Sequence, residues 1–289
     1  MVLNRMPHKR ALYLKENRLS FIEKLKCIWG KNNSLVCVGL DPDVSRFPIG
    51  FSKKTDAIFK FNKEIIDATH DLVCAYKPQI AYFSAESAED QLEKTIQYIK
   101  REYPHIPIIL DSKRGDIGST AKKYAVEAFE RYQVDAVTVN PYLGFDSAEP
   151  FLNYKERGTI LLCRTSNSGA SDFQDLEIDG TPLYQKVASL ISDKWNYNKN
   201  CLLVVGATWP SQMSEVRSLV GDIPFLVPGV GEQGGDIESL VKAGKTKHGT
   251  GLIISSSRGV IYASDGEDFA TKAREVVVKL RSEINMHRN

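Results

Sequence analysis

Short apolar runs alternate with helically periodic stretches along almost all of this 289-residue chain, and that alternation limits its possible folds more than any other feature. The runs Leu35–Leu40, Val73–Tyr76, Pro107–Leu110, Ala136–Val139, Thr159–Cys163, Leu202–Val205, Pro224–Val227 and Gly251–Ser255 read as buried parallel strands. Between them the spacing predicts helices over Thr55–Asp71, Ala88–Tyr103, Ser119–Tyr132, Pro182–Trp195, Ser211–Val220 and Asp268–Asn285. Eight strand–helix units point to an α/β chain folded as a single (β/α)8 TIM barrel; an open doubly wound sheet usually has fewer strands. A further helix, Leu19–Ile28, precedes the first strand and is expected to cap the bottom of the barrel. Residues 1–17 form a basic tail, and 18–289 the single barrel domain. No Pro/Gly/Ser-rich linker divides it.

Bulk properties exclude several function classes. A net charge of +2 without a basic stripe disfavours nucleic acid as a partner. No apolar run approaches the roughly 18 residues of a membrane span. The tail lacks the apolar segment of a secretory signal, so a cytoplasmic location is expected. Five scattered cysteines and five dispersed histidines include no C-x-x-C and no H-x-x-x-H, so neither disulfides nor a metal site is expected.

In such a barrel the strand ends meet on one face, where active sites are built. The third strand runs into Asp111-Ser112-Lys113-Arg114-Gly115-Asp116. Side chains alternate along a strand, so Asp111 and Lys113 leave the same face and Arg114 turns away, reading as structural or solvent-facing. Two carboxylates and an ammonium crowded at one strand end suit proton chemistry. Asp41 ends the first strand, and Lys77, before Pro78, ends the second. Either could be an ordinary turn cap or solvated strand-end residue. Their convergence with Asp111 and Lys113 on three adjacent strand ends favours a site.

Two loops complete the face. Ser166–Gly180 after strand five is long and polar, and reads as a lid. Gly229-Val-Gly231-Glu-Gln-Gly234 matches G-x-G-x-x-G, but about 20 residues on, where a ribose-binding acid belongs, stands Ile254. A Gly-rich loop cradling one phosphate, with Arg258 on the next strand end, fits better.

These residues resemble the orotidine 5'-monophosphate decarboxylase family, in its bacterial-type subgroup of larger chains. The resemblance rests on Asp111-x-Lys113-x-x-Asp116-Ile117, Ala75-Tyr76-Lys77-Pro78-Gln79, Val139-Asn140-Pro141-Tyr142-Leu143-Gly144, Cys163-Arg164-Thr165-Ser166-Asn167, Pro228–Asp236 and Ser257-Arg258. It spans roughly residues 35–262; a shorter D-x-K-x-x-D is shared with hexulose-phosphate synthases. It implies cofactor-free loss of CO2 from orotidine 5'-monophosphate to give uridine 5'-monophosphate (UMP). Lys113 would donate the proton to C6, Asp111 would face the departing carboxylate, and Lys77 would hold the aspartates apart. Asp41 would bind ribose and Ser166, with Asn167 beside it, the pyrimidine. Gln233 and Arg258 would bind the phosphate, and Gly234 and Ser257 beside them are further substrate-binding positions. The family is homodimeric, so Asp116 and Thr120 would reach into the partner's site. Ser84 and Ser168 depart from the subgroup pattern, where an acid and a proline are expected.

Two rival readings stay open at this point. One is a metal-dependent aldolase or epimerase acting on a sugar phosphate. The other is a nucleotide-binding sensor on an inactive barrel.

Overall fold

The computed structural model describes residues 19–51, 54–230 and 236–288. Its eight parallel strands are β1 (Val36–Leu40), β2 (Ala75–Pro78), β3 (Ile109–Arg114), β4 (Ala136–Val139), β5 (Gly158–Arg164), β6 (Cys201–Val205), β7 (Phe225–Val227) and β8 (Leu252–Ser256). Hydrogen bonding orders them β2-β1-β8-β7-β6-β5-β4-β3. Bridges Tyr76–Ile108 and Gln79–Asp111 join the two ends, so the sheet closes into a (β/α)8 barrel. Every residue of β1, β2, β4, β6, β7 and β8 is buried. That is the expected environment of a parallel strand packed on the barrel interior and covered outside by helices.

The outer helices are α2 (Ala57–Thr69), α3 (Ile80–Ala85), α4 (Glu89–Glu102), α5 (Gly118–Val126), α6 (Phe145–Leu152), α7 (Leu183–Leu190), α8 (Pro210–Val220), α9 (Ile237–Gly244), α10 (Arg258–Ile261) and α11 (Phe269–Arg288). Two helices expected to run on, to Tyr132 and Trp195, instead pass into π turns at Glu127–Arg131 and Ile191–Trp195. A π turn bonds residue i to i+5 and keeps the chain helical, so the change lies in the hydrogen bonding and not in where the helical stretch ends.

The extra helix, α1 (Phe21–Lys31), starts two residues later than Leu19 because Ser20 takes the N-cap. Its hydroxyl accepts the Glu23 amide and Glu23 reaches back to the Ser20 amide, which satisfies two otherwise orphaned donors. Phe21 lies over the start of β5, where a Cβ on Gly158 would sit 2.3 Å from its ring. Buried Lys24 pairs with Asp135 at 2.8 Å, and Asp135 also accepts the Ile108 amide. The helix therefore closes the N-terminal end of the barrel, as expected.

Strands β2 and β3 end later than their apolar runs, at Pro78 and Arg114 instead of Tyr76 and Leu110. The added residues include Lys77, Asp111 and Lys113, which line the polar mouth of the barrel. The Ser166–Gly180 loop has its own structure: a 3₁₀ turn over Ser168–Asp172 and a small hairpin pairing Glu177–Ile178 with Thr181–Pro182.

His105, on the approach to β3, gives a pH-dependent expectation. Burial, reinforced by Lys31, His70 and Lys24, lowers its pKa from 6.5 to about 4. Between those values the unfolded chain binds the extra proton, so stability rises with pH through this window and is complete above it. Thermal midpoints should therefore fall as pH drops from 6.5 towards 4, and His105→Gln should flatten the fall. Parallel profiles for the two proteins would refute this.

Candidate active site

The C-terminal mouth of the barrel gathers charges from three adjacent strands. Gly39 of β1 lies in register with Lys77 of β2, and Gln79 just past β2 bridges to Asp111 of β3. Inward alternation then brings Asp41, Lys77 and Asp111 together. Lys77 Nζ lies 2.7 Å from Asp111 Oδ2, and Lys113 Nζ lies 2.6 Å from Oδ1. Lys77 and Asp111 are 5% and 6% exposed, whereas the Lys113 side chain is 48% exposed and borders the cavity. One ammonium is thus a buried counter-charge and the other is accessible to a ligand.

Burial opposes both charges of the inner pair, and the neighbours outweigh it. Asp111 and Asp41 hold Lys77 above the usual lysine range. Lys77 and Lys113 hold Asp111 well below the usual carboxylate range. Asp41 Oδ1 is buried with no hydrogen-bond partner among the described residues, although it borders the cavity. A buried carboxylate oxygen left unpaired is costly, and a ligand hydroxyl would satisfy it.

Two adjoining cavities share Lys77, Asp111, Ser166 and Pro228. The smaller, about 210 Å³, is bordered by Asp41, Gly229, Ser257 and Arg258. The larger, about 530 Å³, is bordered by Lys113, Thr138, Leu162, Asn167, Val204 and Leu226. A cleft of about 660 Å³ at the opposite end, beside Trp29, Lys199 and His248, contains none of this charge network. Close packing shapes the mouth. A Cβ on Gly39 would lie 2.7 Å from Ser257 Cβ, and Ser257 donates its hydroxyl to the Gly39 carbonyl. A Cβ on Gly206 would lie 2.8 Å from Ser166 Cα, so only glycine lets Ser166 occupy its place.

The Ser166–Gly180 loop is tied to the barrel by residues that sequence reasoning did not pick out as its anchors. Arg164, 1% exposed at the side chain, reaches Asp175 at 3.0 Å and stacks on Trp209. Gln174 accepts the Thr165 amide and donates to the Thr165 hydroxyl, which itself donates to Asn167 Oδ1. Trp209 Nε1 donates to the Thr165 carbonyl. These bonds fix Ser166 and Asn167 over the larger cavity.

The structure does not gather every expected residue. Asp116 is partly exposed and accepts its neighbouring Ile117 amide, and Thr120 is exposed on α5. Neither borders the cavities of its own chain. Gln233 and Gly234 lie outside the described residues. Arg114 pairs with Glu127 at 2.8 Å and stacks on Tyr124, the structural role expected of it. Ser84 and Ser168 are exposed and border neither cavity. Thr138 was missed, although it is the one polar residue of the run Ala136–Val139 and alternation points it inward.

A closed parallel barrel with a buried Lys–Asp pair and an accessible second lysine at its C-terminal mouth belongs to the class of (β/α)8 enzymes. The family model described as Orotidine 5'-phosphate decarboxylase / HUMPS family matches residues 34–273, and the chain belongs to this family. It is 71% identical over 272 residues to the orotidine 5'-phosphate decarboxylase of Cellvibrio japonicus (strain Ueda107), covering 93% of this chain and 100% of the relative. It is 58% identical to the one from Janthinobacterium sp. (strain Marseille), covering 93% and 99%. Among solved structures, Leishmania donovani OMP decarboxylase superposes with a TM-score of 0.81 at 37% identity, covering 93% of this chain and 99% of that one. The Leishmania donovani UMP synthase superposes with a TM-score of 0.83 at 37% identity, and the chain spans only 57% of its length.

Proposed function

We propose that this enzyme is a carboxy-lyase that converts orotidine 5'-monophosphate to UMP and CO2 without a cofactor, the last step of de novo UMP synthesis. The observation that carries the proposal is Asp111 clamped between Lys77 and Lys113, with the accessible lysine opening onto a cavity of nucleotide size. When the bond between C6 and the carboxylate breaks, its electron pair stays on C6, in an orbital the ring cannot delocalise. The Lys113 ammonium beside that carbon stabilises the developing charge and then gives C6 its proton. Asp111, its charge held by Lys77, faces the departing carboxylate and keeps Lys113 aimed. Ground-state repulsion between the two carboxylates adds to this.

The cavities divide the substrate between them. The larger takes the pyrimidine against Ser166 and Asn167, with Leu162, Val204 and Leu226 as its dry wall. Asp41 accepts ribose hydroxyls, which answers its unpaired oxygen. Ser257 and Arg258, with Gln233 and Gly234 of the Gly-rich loop, take the phosphate. Binding energy from that remote group lowers the barrier by helping the Ser166–Gly180 segment exclude water.

The working unit is a homodimer of the barrel domain that begins near residue 18. Ile117, Tyr142 and Leu143 are large exposed apolar side chains, and the two segments that carry them approach where Gly115 lies against Asn140; exposed apolar surface of this kind is what a partner subunit covers. No described helix is long and apolar enough to cross a membrane. A cytoplasmic location belongs to the proposal as the expected place of UMP synthesis.

Purified protein mixed with orotidine 5'-monophosphate and excess EDTA should release CO2 and form UMP. Loss of turnover with EDTA would move the reading to metal-dependent sugar-phosphate chemistry. UMP binding without turnover would make the protein a sensor.

A further inference from the structure

Strand β3 does not reach Lys113 by simple alternation. Leu110 pairs with Val137 and Arg114 with Val139, so four steps along β3 match two along β4. The surplus chain is a bulge at Ser112 and Lys113, and Lys113 adopts a left-handed φ of +46°. Its two amides leave the ladder, which resumes when Asn140 N–H donates to the Arg114 carbonyl. Both amides donate instead to one side-chain atom, Thr138 Oγ1, at 3.0 Å and 2.9 Å. A hydroxyl has two lone pairs and one proton. With both lone pairs occupied, the proton goes to the remaining neighbour, Asp111 Oδ1, at 3.0 Å. Thr138 is 1% exposed, and its hydroxyl has no capacity left for a ligand.

We infer that Thr138 is a positioning residue for the Asp111–Lys113 pair: one buried hydroxyl caps the bulge that sets the Lys113 backbone and orients the carboxylate that aims the Lys113 side chain. The assignment rests on the decarboxylase reading of this site. A bulge beside an active site re-aims a side chain, and here its left-handed residue bears the accessible ammonium. Asp111 Oδ1 receives both Lys113 Nζ and Thr138 Oγ1, so the hydroxyl and the ammonium locate the same oxygen.

Thr138→Val keeps the shape and removes the hydroxyl, whereas Thr138→Ser keeps the hydroxyl. For Thr138→Val the kcat should fall on the order of 30-fold, the scale of small misplacements of reacting groups. UMP, which needs no aimed proton, should bind within about threefold of the parent, and Thr138→Ser should retain kcat within about threefold. If Thr138→Val does not fold, Thr138→Ser against Thr138→Ala makes the same comparison, because both lack the methyl and differ in the hydroxyl. The inference is overturned if the hydroxyl-free variant keeps the parent kcat. It is equally overturned if serine fails to rescue, or if kcat and UMP affinity fall together. Failure of the unsubstituted protein to turn over orotidine 5'-monophosphate would instead strike the decarboxylase reading itself.

Discussion

Lys113→Ala should lower turnover of orotidine 5'-monophosphate by at least about 10⁴-fold while UMP still binds. The size follows from the two roles assigned to one group. An ammonium about 4 Å from a developing carbanion is worth about 4 kcal/mol at an effective dielectric near 20, roughly three orders of magnitude in rate. A positioned proton donor adds about 10²–10⁴. The fold should survive. The Lys113 side chain is about half exposed, and Asp111 keeps Lys77 and Thr138 as partners, so no buried charge is orphaned. Removing Lys77 would differ, because Asp111 would lose its buried counter-charge. Stopped assays for UMP, calorimetry with UMP and a melting curve separate these effects. Retention of turnover within tenfold, in a variant that melts like its parent, would remove Lys113 from the chemistry.

Much of this arrangement was legible in the sequence, and its limits have physical causes. Apolar runs located all eight strands because strands buried on both faces must be apolar. That signal ended early in β2 and β3, where the inner face becomes a charged site and Lys77, Asp111 and Lys113 belong to the strands themselves. Alternation put Asp111 and Lys113 on one face, and they do meet, but across a bulge that no spacing rule reveals. Thr138 looked like an ordinary β-branched strand residue, and its role depends on the backbone of a neighbouring strand. The Ser166–Gly180 loop read as polar and irregular because Arg164, Gln174 and Asp175 are bonded across a turn and carry no periodic signal. Asp116 stood out by motif and by its place beyond the third strand, and Thr120 only through the family resemblance; a single chain brings neither to the two cavities.

That separation makes the second large effect a gain. Asp116→Ala and Lys113→Ala should each be nearly inactive, and mixing them under conditions of subunit exchange should restore about a quarter of the parental activity. In a two-fold dimer each site would combine Lys113 of one chain with the partner's Asp116. A mixed dimer then has one site lacking both groups and one with both intact. Random exchange makes about half the dimers mixed, each with half its sites working, hence the quarter. The geometry favours a contribution in trans. Asp116 borders neither cavity of its own chain, Ile117 next to it is 59% exposed, and Gly115 before it lies against Asn140, two residues ahead of the exposed Tyr142. Covering those side chains would bring a partner surface to the mouth beside Lys113. A carboxylate arriving there would balance the second ammonium of the Lys77–Asp111–Lys113 cluster and hold it towards C6. Recovery would also show that neither substitution acts by unfolding its subunit. If the mixture stays inactive while capture through a tag carried by one variant shows that mixed dimers have formed, Asp116 works in its own chain or not at all. If the Asp116→Ala protein alone keeps full activity, the family role carried onto that residue does not hold here.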